Sequence, residues 1–295
     1  MTSREQEVTR LPPGSDVPHR LPVLVERVVE PFRRGTPPEP RQAMGFYTDT
    51  TVCIGCKACE VACKQWNQLP ADGFEWTGNS YDNTGGLSAT SWRHVKFIEQ
   101  FSPDRSEARW LMMSDVCKHC VQAGCLEVCP VGAIVRTEFD TVVIQSDACI
   151  GCRACLPACP FGVIDINPVT HTAQKCTLCY DRLQAGLVPA CAQACPTASI
   201  QFGPIADLKK RAAARVEQLH AQGEKRAYIY GDESILGGLN AFYLLVDKPE
   251  VYGLPSAPAL PTKRLWLSSL FTAAGATLMG LFGLISLRTR RENKP

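Results

Sequence analysis

The feature that most constrains this chain is its sixteen cysteines, which fall into four groups of four. The third group, CIGCRACLPACP at 149–160, follows the spacing C-x2-C-x2-C-x3-C-P in full. Bacterial ferredoxins use that run to hold [4Fe-4S] cubanes. The first group has the same spacing, but its fourth cysteine, Cys63, is followed by Lys64 instead of proline. The pattern predicts four [4Fe-4S] clusters, with four cysteines for each.

Disulfides and zinc are the two alternatives for so many cysteines. Disulfide scaffolds are usually short secreted chains, whereas 295 residues are enough to bury a core. Structural zinc sites pair two C-x2-C knuckles and seldom run three or four cysteines through one loop. Iron-sulfur clusters are therefore the favoured prediction, and zinc is the main competitor.

An internal repeat follows the second group of cysteines. Three segments share Cys-Pro, small residues and then Ile: CPVGAI at 129–134, CPFGVI at 159–164 and CPTASI at 195–200. The first two lead into sequences that predict β-hairpins, IVRTEFDTVVI and VIDINPVTHTAQ. A cysteine loop, a short helix and a hairpin make up a ferredoxin unit, so two such units of α+β class are expected.

The rest of the chain divides by composition. Strands are expected in WRHVKFIEQF and ARWLMMSDV within an insertion, and later in AYIYG and AFYLLVDKP, with a helix at 207–219 between these two pairs. The proline- and arginine-rich start has no apolar run that would make a signal peptide. The expected divisions are an extended arm at 1–44, a four-cluster domain at 45–203 with an insertion at 66–116, an extension packing on partners at 204–261, and an anchor with a basic tail at 262–295.

Residues 265–287 form an uncharged apolar run of transmembrane length. Basic residues flank it on both sides, as at the ends of membrane spans. Thr272, Ala276 and Gly280 recur every four residues and give a face suited to packing against another membrane helix. The sequence predicts a single transmembrane helix with an integral-membrane partner. Because the run lacks histidine, any haem would belong to that partner.

The predicted chemistry is electron transfer rather than catalysis. Clusters with a thiolate on every iron leave no open site for a substrate. The chain contains no phosphate loop, nucleophile elbow or dinucleotide fingerprint, and its net charge of +2 gives no hint of nucleic acid. His119 is expected near a cluster or at the surface rather than as a ligand. Lys64, Lys118 and Lys175 adjoin cysteines and could raise cluster potentials electrostatically, but a solvated side chain is the favoured prediction for each.

Four segments in this order resemble the iron-sulfur (beta) subunit of membrane-bound respiratory formate dehydrogenase. They are CKACEVACKQWN at 56–67, YDNTGGLSATSW at 81–92, KCTLCYDRLQAGLVPACAQACPT at 175–197 and DKPEVYGLP at 247–255, and a terminal span follows them. The cysteine groups alone are shared with electron-transfer subunits of other molybdopterin oxidoreductases. The insertion and the tail point to formate.

The resemblance implies a relay between two partners. One is a catalytic (alpha) subunit with a molybdenum or tungsten pterin, and the other is a cytochrome b (gamma) subunit that passes electrons to quinone. The protein itself would be a non-catalytic subunit held in membrane lipid. Basic residues are slightly more numerous after the span than before it, so the C-terminus is expected in the cytoplasm and the clusters outside.

The resemblance also implies a crossed ligand scheme. Spacing supports only the exchange of the last cysteine between groups; the pairing of the first group with the fourth comes from the family. The implied sets are cluster 1, Cys53, Cys56, Cys59 and Cys195; cluster 2, Cys63, Cys176, Cys179 and Cys191; cluster 3, Cys117, Cys120, Cys125 and Cys159; and cluster 4, Cys129, Cys149, Cys152 and Cys155.

Two other functions stay open on the sequence. The same relay could serve another molybdopterin oxidoreductase or a hydrogenase. A membrane-tethered zinc-binding interaction module is the alternative from a different class. In either electron-transfer function, Cys63 would link the first group of cysteines to the fourth. KQWN would mark where the ferredoxin pattern opens into the insertion.

Overall fold

A computed structural model describes residues 42–73, 76–78, 81–260 and 262–292, and within the last helix the side chains of 269–286. The arm predicted for 1–44 lies outside the described residues up to position 41. Met44 already begins the first strand.

A four-stranded sheet joins the two ends of the cluster region. Strand β1 (Met44–Asp49) pairs in parallel with β10 (Ala241–Leu245) on one side and antiparallel with β8 (Ile200–Pro204) on the other. Strand β9 (Tyr228–Tyr230) completes the order β8-β1-β10-β9. Every residue of β10 is buried, as expected of an apolar strand covered on both faces.

In the described residues, the three remaining strand pairs are antiparallel hairpins; two were predicted as hairpins, and for the third its two strands were predicted. The insertion forms the longest, β2 (Arg93–Phe101) with β3 (Ala108–Val116). The two that follow Cys-Pro segments are short: β4 (Ile134–Arg136) with β5 (Val142–Ile144), and β6 (Asp165–Ile166) with β7 (Ala173–Gln174). Each hairpin is local in sequence, which is why alternation and turn residues predict it.

Most helices are short and stand beside cysteines. They are α1 (Ala58–Trp66), α2 (Gly124–Glu127), α3 (Cys155–Ala158), α4 (Tyr180–Gln184) and α5 (Ala190–Gln193). The longer α6 (Ile205–Ala221) confirms the helix expected at 207–219 and packs on β1, β8 and β9. The mixed helix and strand content agrees with the α+β prediction.

Two apolar cores result. One contains five buried cysteines together with residues of the three hairpins and β1, among them Val95, Ile134 and Ala173. The other surrounds β10 and α6 and includes Tyr243, Leu244 and Leu208. Most of the cysteines are therefore packed into or against the first of these cores rather than exposed at the surface.

The chain ends in helix α7 (Thr262–Glu292). Its segment Ser269–Ser286 has a mean hydropathy of 1.6, and none of it is buried against the rest of the protein. By length and composition this helix is a candidate membrane anchor.

Candidate iron-sulfur centres

The sequence CIGC[KR]AC occurs twice and folds identically in both places. Gly55 and Gly151 have φ of 65° and 66°, and the basic residues after the next cysteine, Lys57 and Arg153, have φ of 59° and 64°. A Cβ on Gly151 would lie 2.2 Å from the carbonyl oxygen of His171, so no other residue fits there. These shared left-handed backbone conformations direct successive cysteines toward one point.

The second and third cysteine groups exchange members around two cavities. One, with about 350 Å³ of empty space, is lined by four thiols drawn from both groups: Cys117, Cys120, Cys125 and Cys159. The other, of about 320 Å³, is lined by the complementary four: Cys129, Cys149, Cys152 and Cys155. In each cavity three neighbours in sequence meet the last cysteine of the other group.

The first and fourth groups approach each other in the same crossed manner. Burial raises the pKa of Cys63, and the neighbouring thiols of Cys176, Cys191 and Cys179 raise it further. Burial also raises the pKa of Cys53, to which the nearby Cys195 contributes. Cys63 therefore lies beside three cysteines of the fourth group.

The missing proline after Cys63 has a structural reason. Where Cys-Pro ends a group, helices α2, α3 and α5 stop after four residues, since proline cannot continue a helix's hydrogen bonding. Helix α1 instead runs nine residues to Trp66. The Trp66 indole donates to Asp181 at 2.8 Å and stacks 4.2 Å from the guanidinium of Arg182, while Asn67 donates to the Cys63 sulfur at 3.6 Å. KQWN thus fastens α1 to α4 in the fourth cysteine segment.

The donor set fits iron-sulfur clusters. Burial raises the pKa of Cys59 to about 12 and of Cys155 to about 11, and a bound cluster would supply the positive charge that favours their thiolates. Within the described residues, no three His, Cys, Asp or Glu side chains are placed to hold a single metal ion. A mononuclear zinc site needs all its sulfurs about 2.3 Å from one atom, whereas a cubane takes each thiolate on a different iron.

Two of the lysines predicted to be solvated are buried. Lys118 is 1% exposed and donates to Asp115 and to the Val116 carbonyl. Lys175 is 2% exposed and donates to the carbonyls of Val142 and Cys176. The prediction was wrong because each side chain finds oxygen partners inside the protein, which offsets the cost of burial. Lys64 is half-buried and pairs with Asp72 at 2.8 Å.

His119 is fully buried, so the surface alternative for it is wrong. Its Nδ1 accepts from the Val142 amide at 3.1 Å, and its Nε2 has no partner among the described residues. The ring lines the same cavity as Cys117 and Cys125. Burial and the ammonium of Lys175 hold its pKa well below the usual range, which keeps the ring neutral.

One residue beside the cysteines was missed entirely. Arg93, at the start of β2, donates to the sulfur of Cys191 at 3.2 Å and to the hydroxyl of Ser114 at 3.3 Å. The Ser114 oxygen is 3.3 Å from the sulfur of Cys59. The only signal in sequence was a charged residue at the head of an otherwise apolar strand, WRHVKF.

A charged network ties the insertion to α1. Glu60 accepts from the Val95 amide, and Asp82 pairs with Lys57 at 2.9 Å and with His94 at 3.1 Å. Burial lowers the pKa of His94. The hairpin that carries Arg93 is thereby fixed against the first cysteine group.

Comparison with known proteins agrees with this geometry. Residues 52–133 and 108–205 both match 4Fe-4S dicluster domain families. The formate dehydrogenase iron-sulfur subunit of Haemophilus influenzae is 41% identical over 238 residues, 79% of this chain and 75% of that one. The nitrate-inducible formate dehydrogenase iron-sulfur subunit of Escherichia coli K12 is 40% identical over 80% of this chain and 81% of its own length. The B subunit of anaerobic dimethyl sulfoxide reductase from the same organism is 36% identical over 57% of this chain and 76% of its own length.

Two dicluster domains and sixteen cysteines define an electron-transfer protein that carries four [4Fe-4S] clusters. The chain belongs to the family of formate dehydrogenase iron-sulfur subunits.

Proposed function

We propose that this chain relays electrons from a partner that oxidises formate with a molybdenum or tungsten pterin to a cytochrome b subunit in the membrane and on to quinone. Oxidation of formate to carbon dioxide releases a proton and two electrons, and each cluster accepts and passes one electron at a time. The observation that carries the proposal is the match to formate dehydrogenase subunits along about four fifths of the chain.

The crossed ligand scheme is part of this proposal: clusters 1 to 4 take the sets of cysteines given above, in two ferredoxin-like units. The two cavities lined by mixed groups support clusters 3 and 4. The position of Cys63 beside Cys176, Cys179 and Cys191 supports cluster 2, and that of Cys195 beside Cys53 supports cluster 1.

A linear order of clusters is supported by the electrostatic influence that thiols of one set exert on thiols of the next. Besides burial, the charge of Cys191 raises the pKa of Cys59, which links clusters 1 and 2. In the same way Cys117 acts on Cys176, linking clusters 2 and 3. Cys155 acts on Cys125, linking clusters 3 and 4.

Exposure of the thiols supports the same order. Of the sixteen cysteines, Cys56 and Cys152 are the exposed ones. They belong to clusters 1 and 4, the two ends of the series. Those ends are where electrons would enter from one partner and leave to the other.

Helix α7 anchors the relay in the lipid bilayer beside the cytochrome b subunit, with the clusters on the outer side and the C-terminus in the cytoplasm. Its unburied apolar surface supports the anchor, and the flanking basic residues support the orientation. Protease added to intact spheroplasts should digest the cluster region. Protection until the membrane is permeabilised would reverse the orientation.

Anaerobic addition of formate to the purified complex tests the function. Formate should bleach the visible absorption of this protein's clusters to the level that dithionite reaches. Bleaching by dithionite alone would contradict a formate-linked role. The dimethyl sulfoxide reductase relative gives a defined comparison: reoxidation of the reduced clusters by dimethyl sulfoxide would assign the relay to that chemistry instead.

A further inference from the structure

Arg93 places one cation between two groups of cysteines. It is 2% exposed, although arginine is rarely buried unless it is paired. Its Nη2 reaches the sulfur of Cys191 at 3.2 Å, and its Nη1 reaches the hydroxyl of Ser114 at 3.3 Å. The same hydroxyl lies 3.3 Å from the sulfur of Cys59. When Cys59 is ionised, Ser114 donates to it while accepting from Arg93, so the guanidinium acts on both sulfurs.

The buried guanidinium of Arg93 needs a compensating negative charge beside it. The guanidinium packs 4.7 Å from the ring of Phe46, and in the described part of the chain it forms no ion pair with an acidic side chain. Its Nε has no hydrogen-bond partner among the described residues. A buried cation of this kind is stable only beside compensating anions, and cysteine thiolates are the groups in reach.

The effect on the ligands has a definite sign. The guanidinium is 3.2 Å from the sulfur of Cys191 and is joined to the sulfur of Cys59 through Ser114, so its positive charge stabilises negative charge at both. Reduction of a cluster adds negative charge, which a neighbouring cation stabilises. Cluster potentials depend on charge and on hydrogen bonds to the sulfurs.

We propose that Arg93 is a positioning residue that raises the reduction potentials of clusters 1 and 2 together, and that of cluster 2 more strongly. The direct bond to Cys191 makes cluster 2 the nearer target, and Ser114 transmits a weaker effect to cluster 1. The inference rests on the ligand sets proposed above.

The test is a redox titration of the intact complex followed by electron paramagnetic resonance, with iron content measured on the same samples. Arg93→Gln should make reduction of cluster 2 at least about tenfold less favourable, which is 59 mV for one electron. Cluster 1 should change roughly threefold, and clusters 3 and 4 should keep their potentials. Arg93→Lys keeps the charge without the fork, and its potentials should fall between those of wild type and Arg93→Gln.

Two further variants separate charge from structure. Arg109→Gln removes a cation from the same hairpin, where it pairs with Asp247 at 2.9 Å and contacts no cysteine; its cluster potentials should match wild type. Ser114→Ala keeps Arg93 but removes the connection to Cys59, so only the potential of cluster 1 should fall. This variant also tests the idea if Arg93→Gln does not assemble.

Several outcomes would overturn the inference. Fully loaded Arg93→Gln with four unshifted potentials is one, and equal shifts in Arg93→Lys and Arg93→Gln is another, since charge would then not be the cause. An unchanged cluster 1 in Ser114→Ala would remove the connection between the two clusters. Loss of irons in cysteine variants that fits another ligand scheme would instead count against the assignment, independently of these potentials.

Discussion

The cluster region has two halves, one around clusters 1 and 2 and the other around clusters 3 and 4. The two halves differ in how their buried cations are bound. In the first half, Arg93 donates directly to a cysteine sulfur. In the second half, Lys175 is equally buried, but it donates to two main-chain carbonyls, and Lys118 is held by the carboxylate of Asp115. A cation bonded to a ligand sulfur can set a potential, whereas a cation bound to a carboxylate mainly holds the protein together. Burial beside a cluster therefore does not by itself define an electrostatic role.

The largest contrast between the halves is expected from the crossing cysteines. Cys63→Ala should remove the cluster held by Cys176, Cys179 and Cys191 before the one held by the rest of its own group. Cys129→Ala should remove the cluster of Cys149, Cys152 and Cys155 in the same way. Each variant should lose about four irons, and the lost resonance identifies the cluster. If either variant instead lost the cluster held by the other three cysteines of its own group, that half would not follow the crossed ligand scheme.

Lys118 should matter for stability and little for potential. Among the residues that the structure describes, Lys118→Met leaves the buried Asp115 with Lys96, at 3.0 Å and near the surface, as its one cationic partner. Breaking a buried pair costs about 3–5 kcal/mol, so thermal inactivation of the complex should occur at a distinctly lower temperature. The double variant Lys118→Met/Asp115→Asn should recover part of the loss. A large potential shift in a stable Lys118→Met complex would contradict the division of roles.

Lys175 is expected to have an intermediate effect on potential. Burial raises the pKa of Cys125 to about 12, and the Lys175 ammonium is the main group acting against it. Lys175→Met should make reduction of cluster 3 several-fold less favourable, roughly threefold, by redox titration. Lys64→Met is the matched control, because Lys64 also adjoins a ligand cysteine but pairs with Asp72. Equal shifts of potential in the two variants would contradict a specific effect of Lys175 on cluster 3.

The smallest effect is expected at the attachment of the insertion. Asp82→Asn weakens the contacts to Lys57 and His94, which should cost about 1 kcal/mol. Amide hydrogen exchange in β2 should become faster. The redox titration curve of cluster 2 should broaden, because Arg93 is no longer held in one position. Asp104→Asn, in the exposed turn of the same hairpin, should leave both unchanged.

Local patterns predicted much of this molecule, and distant partners decided the rest. Turn residues were sufficient to predict two of the hairpins, and apolar composition predicted the two strands of the third, because each hairpin is formed by neighbours in sequence. The parallel pairing of β1 with β10 joins residues nearly two hundred positions apart, and no pattern within either strand specifies its partner. The segment expected to pack on partners supplies β9 and β10 to the protein's own sheet, which its sequence did not indicate.

The same limit applies to the site. Thiol chemistry and spacing indicated the sixteen ligand candidates. The burial of Lys118, Lys175 and Arg93 was not predictable, since charged residues are ordinarily exposed and their partners lie on other elements. WRHVKF could be identified as a strand. The contacts of its first charged side chain, Arg93, depend on how the hairpin packs over α1.

The pairing of β1 with β10 also sets a schedule for making the protein. Ribosomes release the first strand and all sixteen cysteines before β10 exists, so a growing polypeptide carries its thiol loops on an unfinished sheet. Completion of the second core must wait for Ala241–Leu245 and for Tyr252 and Leu254, which precede α7. We therefore expect the cysteine loops to close over their clusters only after β10 has been made, before the apolar helix becomes available to a membrane.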